Sequence, residues 1–387
     1  MNVFKNIGPG VLVTAAFIGP GTVTVCLLAG NKFMFELLWV LLFAVVATIV
    51  LQEMAARLGI VTQAGLSEAI RQQINDKWTR NIAFALIISG ILLGNTAYEA
   101  GNISGTVIGL KILTGNKVSQ IWASVIVYLP AMALLYFGKN RTIEKFFIGV
   151  VVMMSLAFLM SAILTKPILG EIAKGMTIPH FPDGSWVAII GLIGTTVVPY
   201  NLFLHAAMVK DKWNNISELP AARKDLFIAI IVGGIISACI LITGASTFGS
   251  IITGIDDLSD SFEQVYGSIG VKFFGLGIFA AGFTSTITAP LAAALVARGL
   301  FGWGSKNNEV KFRATWMIVL TVGFVFSLVG YKPIQIIQLA QFANGLLLPF
   351  ISLFLIWVVN NQALMGAHKN SVLQNVAAII VLIISIG

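Results

Sequence analysis

The sequence predicts an all-α, polytopic membrane protein with about eleven transmembrane helices. Of its 387 residues, 57% are hydrophobic and only 10% are charged, and the mean hydropathy is +0.93. Soluble domains carry about 25% charged residues, so this chain has too few charges to cover a water-facing surface. The composition therefore excludes a cytosolic enzyme, a nucleic-acid-binding protein and a disordered chain.

Eleven segments are apolar enough to cross a bilayer, which takes about 20 residues of helix. They are residues 7–30, 35–58, 82–109, 118–137, 146–165, 186–209, 226–249, 268–297, 313–330, 335–358 and 372–386. The stretch 63–80 is amphipathic and too polar to cross, so we expect it at the membrane face. The segment 251–266 carries four acidic residues and is predicted to be an exposed loop. We expect a single transmembrane domain over residues 1–387.

The distribution of basic residues predicts a cytoplasmic N-terminus. In that orientation 17 of the 24 Lys and Arg residues lie on the cytoplasmic side, as the positive-inside rule requires. The bias also explains the net charge of +8 without a nucleic-acid partner. We expect a multi-pass, monomeric protein of the plasma membrane, whose partners are the lipid bilayer and a small-molecule or ion substrate. Lys139, Arg141 and Lys212 should lie inside and Asp256 outside.

Two spans contain strong helix breakers near their midpoints. Span 1 holds Gly19-Pro20-Gly21-Thr22, and span 6 holds Thr195-Thr196-Val197-Val198-Pro199-Tyr200-Asn201. Proline removes a backbone donor and flanking glycines allow the chain to unwind. Matched breaks in two halves are typical of inverted-repeat transporters with a mid-membrane site. The repeats would cover about 7–165 and 186–358, with 372–386 as an extra span. The alternative is two proline kinks without a ligand.

Polar residues inside apolar runs indicate function, because intramembrane carboxylates are costly. Glu99 lies in span 3, and the polar residues around it are Asn95, Thr96, Tyr98 and Asn102. Span 8 carries a cluster of hydroxyls: Thr284, Ser285, Thr286 and Thr288. Such hydroxyls can instead bond to their own helix, which is the more ordinary explanation. Glu53 lies one helical turn before Arg57, and that spacing favours a structural ion pair.

Several segments resemble the NRAMP family of proton-coupled metal-ion transporters, which have the LeuT-type fold. GLIGTTVVPYNLFLHAAMV is similar to the family's span 6, built around Met-Pro-His-Asn and a later His. FAAGFTSTITAPLAAALVARG is similar to its hydroxyl-rich span 8, and QLAQFANGLLLPF to its span 10. LQEMAARLGIVTQAGLSEAI resembles the segment that closes span 2. The matches occur in the family's order and cover nearly the whole chain.

The resemblance implies a substrate site at the two breaks and a coupling route beside it. The expected substrate-binding residues are Gly19, Pro20, Gly21, Thr22, Thr195, Val198, Tyr200, Asn201 and Gln341. Glu99 matches a carboxylate of the family's proton route, and His205 matches its later span 6 His. For coupling to sodium, the span 8 hydroxyls of Thr284, Ser285 and Thr288 are the candidates.

The chain departs from the family at the residues that bind metal. Gly19 stands where the family has its metal-binding Asp, and Thr22 where it has Asn. Val198 replaces the metal-binding Met, and Tyr200 replaces the first His. Thr195 occupies the place of the residue whose carbonyl binds metal. Moving even a single charge into a low dielectric costs of order 20 kcal/mol in the idealised limit. We therefore predict neither metal ligands nor a cofactor.

The sequence thus predicts an NRAMP-like secondary active transporter, or symporter, working by alternating access. Its expected substrate is a zwitterionic or small polar solute rather than a transition metal. A divalent metal-ion transporter with a remodelled site is an alternative, in which Glu99 would supply the negative charge. A non-transporting receptor or scaffold on the same fold is another. An enzyme is not expected, because no nucleotide-binding loop, His-rich motif or Ser-His-acid set is recognisable.

Overall fold

The computed structural model describes residues 9–137, 140–250, 255–303, 309–328 and 333–386. These ranges are almost entirely helical and contain no β-strand. The helices are α1 Pro9–Phe17, α2 Pro20–Phe33, α3 Leu38–Thr62, α4 Leu66–Gln73, α5 Lys77–Ile88, α6 Gly94–Thr114, α7 Gln120–Phe137, α8 Asn140–Leu164, α9 Leu169–Thr177, α10 Trp186–Thr196, α11 Pro199–Lys212, α12 Leu219–Ala245, α13 Ile255–Phe301, α14 Glu309–Leu328, α15 Pro333–Val359, α16 Gln362–Met365 and α17 Val372–Ile386. A π-helical turn, Ser89–Leu93, joins α5 to α6. The predicted all-α fold class is confirmed.

The helices coincide with the predicted spans, although length and composition alone identify fewer of them. Within the described ranges, 7 helical segments are long and apolar enough to cross a membrane, or up to 9 if each of two bent pairs is one span. The first predicted span falls below that length because it consists of two short helices, α1 and α2. The last, α17, has only 15 residues. The 9 spans, together with the α1–α2 span and α17, correspond to the eleven predicted segments.

Two predicted boundaries are wrong. Span 3 begins at Lys77 rather than near residue 82, because the Asp76 carboxylate accepts a hydrogen bond from the Thr79 amide at 2.8 Å and caps α5. The segment 251–266, predicted to be a loop, is helical from Ile255 onward. Its helix is interrupted at Gly267, whose φ of 65° is accessible mainly to glycine. Residues 251–254 lie outside the described part of the chain.

Each of the two predicted breaks lies immediately before a proline that begins a new helix. Gly19 is extended, with φ −105° and ψ −176°, and Pro20 is the first residue of α2. In the same way Val198 is extended and Pro199 is the first residue of α11. Proline is favoured at this position because its missing N–H would have no partner there. The prolines therefore start the second half of each broken span rather than kink a continuous helix.

The long helix α13 lies at the centre of the bundle and packs against α6, α8 and α14. Its approach to α6 is close because Gly109 has no side chain. A Cβ at Gly109 would clash with the backbone of Phe279 on α13. This contact holds the polar face of α6 against the hydroxyl-bearing part of α13, which is where the candidate site lies.

A buried ion cluster joins three parts of the chain at one end of the bundle. Arg57 Nε lies 3.2 Å from Glu53 Oε1 within α3, and Arg223 of α12 lies 2.7 Å from the same carboxylate. Arg57 also donates to Asn370 Oδ1 at 2.6 Å, just before α17. The expected structural pair between Glu53 and Arg57 is confirmed.

Glu53→Gln is expected to lower the melting temperature of the detergent-purified protein by several degrees. The substitution leaves two guanidinium groups without their anion, and breaking a buried pair costs about 3–5 kcal/mol. The matched control is Glu309→Gln, which removes an exposed pair with Arg313 of 2.7 Å. That exposed pair should contribute nothing measurable. Equal shifts in the two variants would contradict a stabilising role for the buried cluster.

The membrane orientation is a prediction that labelling can test. Lys139 and the side chains of Arg141 and Asp256 lie outside the described residues, so exposed positions are the better probes. Asp183→Cys, in the exposed segment before α10, should react with an impermeant thiol reagent from outside intact cells. Lys224→Cys should react only after permeabilisation. Both belong in a background without Cys26 and Cys239, which are buried. The opposite pattern would invert the orientation.

Candidate functional site

The two helix breaks touch each other in the middle of the bundle. The hydroxyl oxygens of Thr22 and Thr195 lie 2.8 Å apart, and Thr22 Oγ1 lies 3.4 Å from the Thr195 carbonyl. Both residues are fully buried. The matched positions of Pro20 and Pro199 in the sequence therefore correspond to a direct contact between the broken spans.

The carbonyl groups freed at the end of α1 already accept hydrogen bonds from the protein. Helix ends leave their last four carbonyls without a partner inside the helix. In α1 the Thr14 carbonyl accepts from the Ile18 amide at 3.0 Å. The next three carbonyls accept from hydroxyls of other helices: that of Ala15 from Thr284 at 3.2 Å, that of Ala16 from Tyr200 at 3.0 Å, and that of Phe17 from Thr22. A cation bound by these carbonyls would have to share them with their present donors.

At the second break, the last carbonyls of α10 are engaged as well. The Thr195 carbonyl lies 3.4 Å from the Thr22 hydroxyl, and the Thr196 carbonyl accepts from the Thr48 hydroxyl of α3 at 3.4 Å. Both donor–acceptor distances exceed the range of about 2.5–3.0 Å that is usual for hydroxyl donors, so these contacts are weak. The carbonyls of the second break are therefore more available to a ligand than those of the first.

Four buried polar atoms around the breaks have no hydrogen-bond partner among the described residues. They are Tyr98 Oη, Asn201 Oδ1, Ser285 Oγ and Gln341 Oε1. A buried polar atom left unpaired costs about 1–3 kcal/mol. Four such atoms in one region are neutral groups that a ligand could satisfy, and each can form a hydrogen bond with an organic solute.

Three of these side chains, Ser285, Tyr98 and Gln341, lie against the glycines of the first break. A Cβ at Gly19 would lie 2.6 Å from Ser285 Oγ and 3.3 Å from the Tyr98 hydroxyl. A Cβ at Gly21 would overlap the Gln341 amide. The space that a larger residue at position 19 would need is thus taken by Ser285. The rings of Tyr98 and Tyr200 meet edge to face, with centroids 5.8 Å apart.

The structure brings most of the predicted substrate-binding residues together. Besides the residues already placed, Pro20 packs against Gly105 of α6, where a Cβ would clash with the proline ring. Val198 is buried at the start of α11 and offers only an apolar side chain. Tyr98 was not among the predicted substrate-binding residues. Its position beside Glu99 on the polar face of span 3 is the signal that could have identified it.

The two ionisable candidates for coupling are buried, and each has one unpartnered atom. Glu99 Oε2 accepts from Asn102 Nδ2 at 3.1 Å, while Oε1 has no partner among the described residues. Gly323 of α14 packs against its side chain. His205 Nδ1 lies 3.0 Å from Gln52 Oε1, and Nε2 has no partner in the described part of the chain. Both can therefore take part in a further hydrogen bond.

The hydroxyls of span 8 divide into two groups. The single proton of the Thr284 hydroxyl is shared among three carbonyls, those of Ala280 and Ala281 in its own helix at 3.1 and 2.9 Å and that of Ala15 in α1 at 3.2 Å. Thr288 lies 3.5 Å from the Ser285 carbonyl. Of these span 8 hydroxyls, that of Ser285 is the one that has no hydrogen-bond partner among the described residues and lies close to Gly19. A sodium site here stays a prediction. Among the described residues, no group of three or more His, Cys, Asp or Glu is placed to hold a metal ion.

Comparison with known proteins identifies the family. The sequence profile described as "Natural resistance-associated macrophage protein-like" matches residues 10–387. The chain belongs to the NRAMP family. It is 26% identical over 381 residues to the divalent metal cation transporter MntH of Klebsiella pneumoniae subsp. pneumoniae, covering 94% of this chain and 87% of that protein. It is 26% identical over 379 residues to MntH of Bacillus subtilis strain 168, covering 94% and 86%.

Solved structures confirm the LeuT-type fold of this NRAMP chain. A variant of the Eremococcus coleocola manganese transporter superposes with a TM-score of 0.81 at 22% identity, covering 100% of this chain and 87% of that one. MhsT in complex with L-phenylalanine gives 0.64 at 15% identity, covering 97% and 96%. Mhp1, a nucleobase-cation-symport-1 family transporter, gives 0.61 at 14% identity, covering 98% and 91%. At these identities the likeness establishes the fold and leaves the substrate to the site itself.

Proposed function

We propose that this NRAMP-family membrane transporter is a secondary active transporter that moves a small polar or zwitterionic solute by alternating access. The observation that carries the proposal is the neutral lining of the first break. Gly19 has no side chain, and the groups around it are the hydroxyls of Ser285 and Tyr98. The amide of Gln341 covers Gly21 in the same way. This lining contains hydrogen-bonding groups and no charge.

A divalent ion is a poor match for such a lining. Dehydration of an ion is expensive, and proteins repay it with charged or strongly coordinating ligands. The α1 carbonyls are occupied by the hydroxyls of Thr284, Tyr200 and Thr22. An ion bound there would share these carbonyls with their present donors and would gain no negative charge from them. Val198 adds no sulfur, so the soft ligand suited to transition metals is absent from that position as well.

A small organic solute fits the same groups better. The oxygen atoms of Asn201 and Gln341 can accept from an ammonium or amide N–H, and the hydroxyls of Tyr98 and Ser285 can donate or accept. The N-termini of α2 and α11 point partial positive charge at the breaks, which favours a carboxylate. A zwitterion would use both kinds of group. The edge-to-face pair of Tyr98 and Tyr200 supplies an apolar wall.

A divalent metal-ion transporter with a remodelled site is the second candidate. It is favoured by the MntH relatives, which are named divalent metal cation transporters and match over nearly the whole chain. In this candidate the buried carboxylate of Glu99 would supply the negative charge. Hydroxyls and amides would then bind an ion that keeps part of its water shell, as Mg²⁺ commonly does.

The remaining features of the proposal follow from the sequence. One transporter domain would cover residues 1–387, with repeats of about 7–165 and 186–358 and an extra span at 372–386. Glu99 and His205 would carry protons, or the span 8 hydroxyls would bind sodium. The protein would act as a monomer in the plasma membrane with its N-terminus in the cytoplasm.

A thermal-shift screen of the purified protein separates the two candidates. One arm holds Mn²⁺, Fe²⁺ and Mg²⁺, and the other holds amino acids and small amines or carboxylates. A ligand at a hundred times its Kd stabilises the folded state by about 2.7 kcal/mol. We expect stabilisation by an organic solute that is lost in Gln341→Leu and kept in Gln335→Leu, an exposed glutamine of the same helix. Micromolar stabilisation by Mn²⁺ that Thr22→Ala abolishes would overturn the solute proposal.

A further inference from the structure

A groove on the outside of the bundle, away from the helix breaks, has the shape and polarity of a lipid site. One side of the groove is formed by the α4–α5 turn and α5, and the other by the second half of α15. It encloses about 650 Å³, within the range of about 300–1,000 Å³ typical of ligand sites. Its polar residues all lie at one end: Gln73, Asn75, Asp76 and Thr79.

The rest of the groove is apolar and faces the bilayer. On α5 its wall includes Ile82 and Leu86, and on α15 it includes Phe350 and Leu353. Leu86 is 53% exposed and Phe350 is 59% exposed, so these side chains are not part of the protein core. Exposed apolar residues on a membrane-spanning helix are covered by acyl chains. The groove is therefore a surface on which lipid packs.

The dimensions of the groove match one leaflet. From Asp76 to Leu86 the chain advances ten residues, which is about 15 Å of helix. That is half of the hydrocarbon thickness of about 30 Å. Trp357 lines the groove near its polar end, because the neighbouring Val358 carbonyl lies 3.5 Å from Gln73 Nε2. Tryptophan favours this depth, at the boundary between headgroups and acyl chains. The polar end thus lies at headgroup level.

The polar end presents acceptors for hydrogen bonds and one negative charge. Asp76 accepts from the amide and the hydroxyl of Thr79, both at 2.8 Å. The Thr79 amide holds the pKa of the Asp76 carboxyl below its usual value, so this group stays ionised. Gln73 Oε1 is buried and has no partner among the described residues. The Gln73 oxygen therefore requires a donor, and the negative charge of the exposed Asp76 carboxylate favours a cationic one.

Positive charge lies next to these acceptors. Arg80, one turn into α5, is close enough to Asp76 to interact with its charge. Lys77 is exposed at the first position of the same helix. These two basic side chains suit a phosphate group. Together with Asp76 they give the polar end of the groove both positive and negative charge. A headgroup with a phosphate and a protonated primary amine complements both.

We propose that this groove binds phosphatidylethanolamine, with an acyl chain between α5 and α15 and the ammonium group at Asp76 and Gln73. Phosphatidylglycerol lacks the cation that Asp76 attracts. The quaternary ammonium of phosphatidylcholine carries the charge without an N–H to donate. The carboxylate of phosphatidylserine would be repelled by Asp76.

Native mass spectrometry of the delipidated full-length protein tests this assignment. The protein is titrated with phosphatidylethanolamine, phosphatidylcholine, phosphatidylglycerol or phosphatidylserine of identical acyl composition, and the bound lipid is counted. We expect phosphatidylethanolamine to be retained about tenfold more tightly than the others, the effect of one charge-assisted hydrogen bond. Equal retention of phosphatidylcholine, or preference for an anionic lipid, would overturn the proposal.

Two variants and a control localise the binding. Asp76→Asn removes the charge while keeping a good helix cap, and it should reduce phosphatidylethanolamine retention to the phosphatidylcholine level. Leu353→Trp, which narrows the apolar part, should reduce retention of every lipid. Glu309→Gln, an exposed acid at the start of α14, should change neither. Undiminished phosphatidylethanolamine preference in Asp76→Asn would place the lipid elsewhere and refute the assignment. Melting temperatures establish that each variant is folded.

Discussion

The variant Gly19→Asp/Val198→Met/Ser285→Ala is expected to bind Mn²⁺ at micromolar concentration, at least about a hundredfold more tightly than the wild-type protein. The first two substitutions restore the carboxylate and the thioether of the family's metal site. Two opposite unit charges 4 Å apart attract by about 4 kcal/mol at an effective dielectric constant of 20, and the double charge of Mn²⁺ raises this to about 8 kcal/mol. Part of this is lost to dehydration of the ion, and a hundredfold change corresponds to about 2.7 kcal/mol.

The third substitution is required by the structure. A Cβ at position 19 would lie 2.6 Å from Ser285 Oγ, a distance that real side chains do not tolerate, and 3.3 Å from Ser285 Cβ. Removing the hydroxyl eliminates the first contact and leaves two at 3.3 Å, with the Cβ of residue 285 and with the Tyr98 hydroxyl, which small shifts relieve. Gly19→Asp/Val198→Met with Ser285 intact should therefore gain less affinity or lose stability.

Isothermal titration calorimetry with Mn²⁺ measures the effect. Val198→Met/Ser285→Ala serves as the matched control, because it makes the same space without the carboxylate, and it should bind no more Mn²⁺ than the wild type. If the folded triple variant gains no affinity, the backbone at the break does not hold the family's metal-binding geometry. If the wild-type protein itself binds Mn²⁺ at micromolar concentration, the proposed change of substrate is refuted.

Glu99→Gln is expected to abolish the pH dependence of uptake and the accumulation of substrate against a gradient. Glu99 is fully buried, one carboxylate oxygen has no partner among the described residues, and only the Asn102 amide contacts the other. Intramembrane carboxylates of this kind commonly belong to ion or proton routes. Glutamine has nearly the same shape but cannot release a proton, so substrate binding and the fold should be kept while coupling is lost.

Proteoliposome uptake over a range of pH, using the solute found in the thermal-shift screen, measures this effect. Glu171→Gln is the matched control, since Glu171 is an exposed acid paired with Lys174 at 2.7 Å, and its uptake should follow the wild-type pH profile. A structural role for Glu99 predicts the reverse result, a lower melting temperature with coupling intact. Unchanged pH dependence in Glu99→Gln would remove Glu99 from the mechanism and direct attention to a sodium site at Ser285.

Composition and local pattern were sufficient for the membrane class, the all-α fold and the position of the two breaks. The class and fold were predictable because the hydrocarbon core requires long apolar helices. The breaks were predictable because Pro20 and Pro199 interrupt their own backbone whatever surrounds them. The family resemblance added the LeuT-type connectivity. The Glu53–Arg57 pair was also predictable, since residues four apart on a helix are always neighbours.

The hydrogen-bond donors to the last three α1 carbonyls, those of Ala15, Ala16 and Phe17, were decided by the tertiary structure. Their donors are Thr284 on α13, Tyr200 on α11 and Thr22 on α2, and no local pattern reveals which hydroxyl reaches which carbonyl. The same holds for the contact of Ser285 with Gly19, which joins residues far apart in the chain. Hydrogen bonds between helices depend on how the helices pack, so the sequence predicted where the backbone breaks, and only the folded bundle determined which of the freed groups stay available to a ligand.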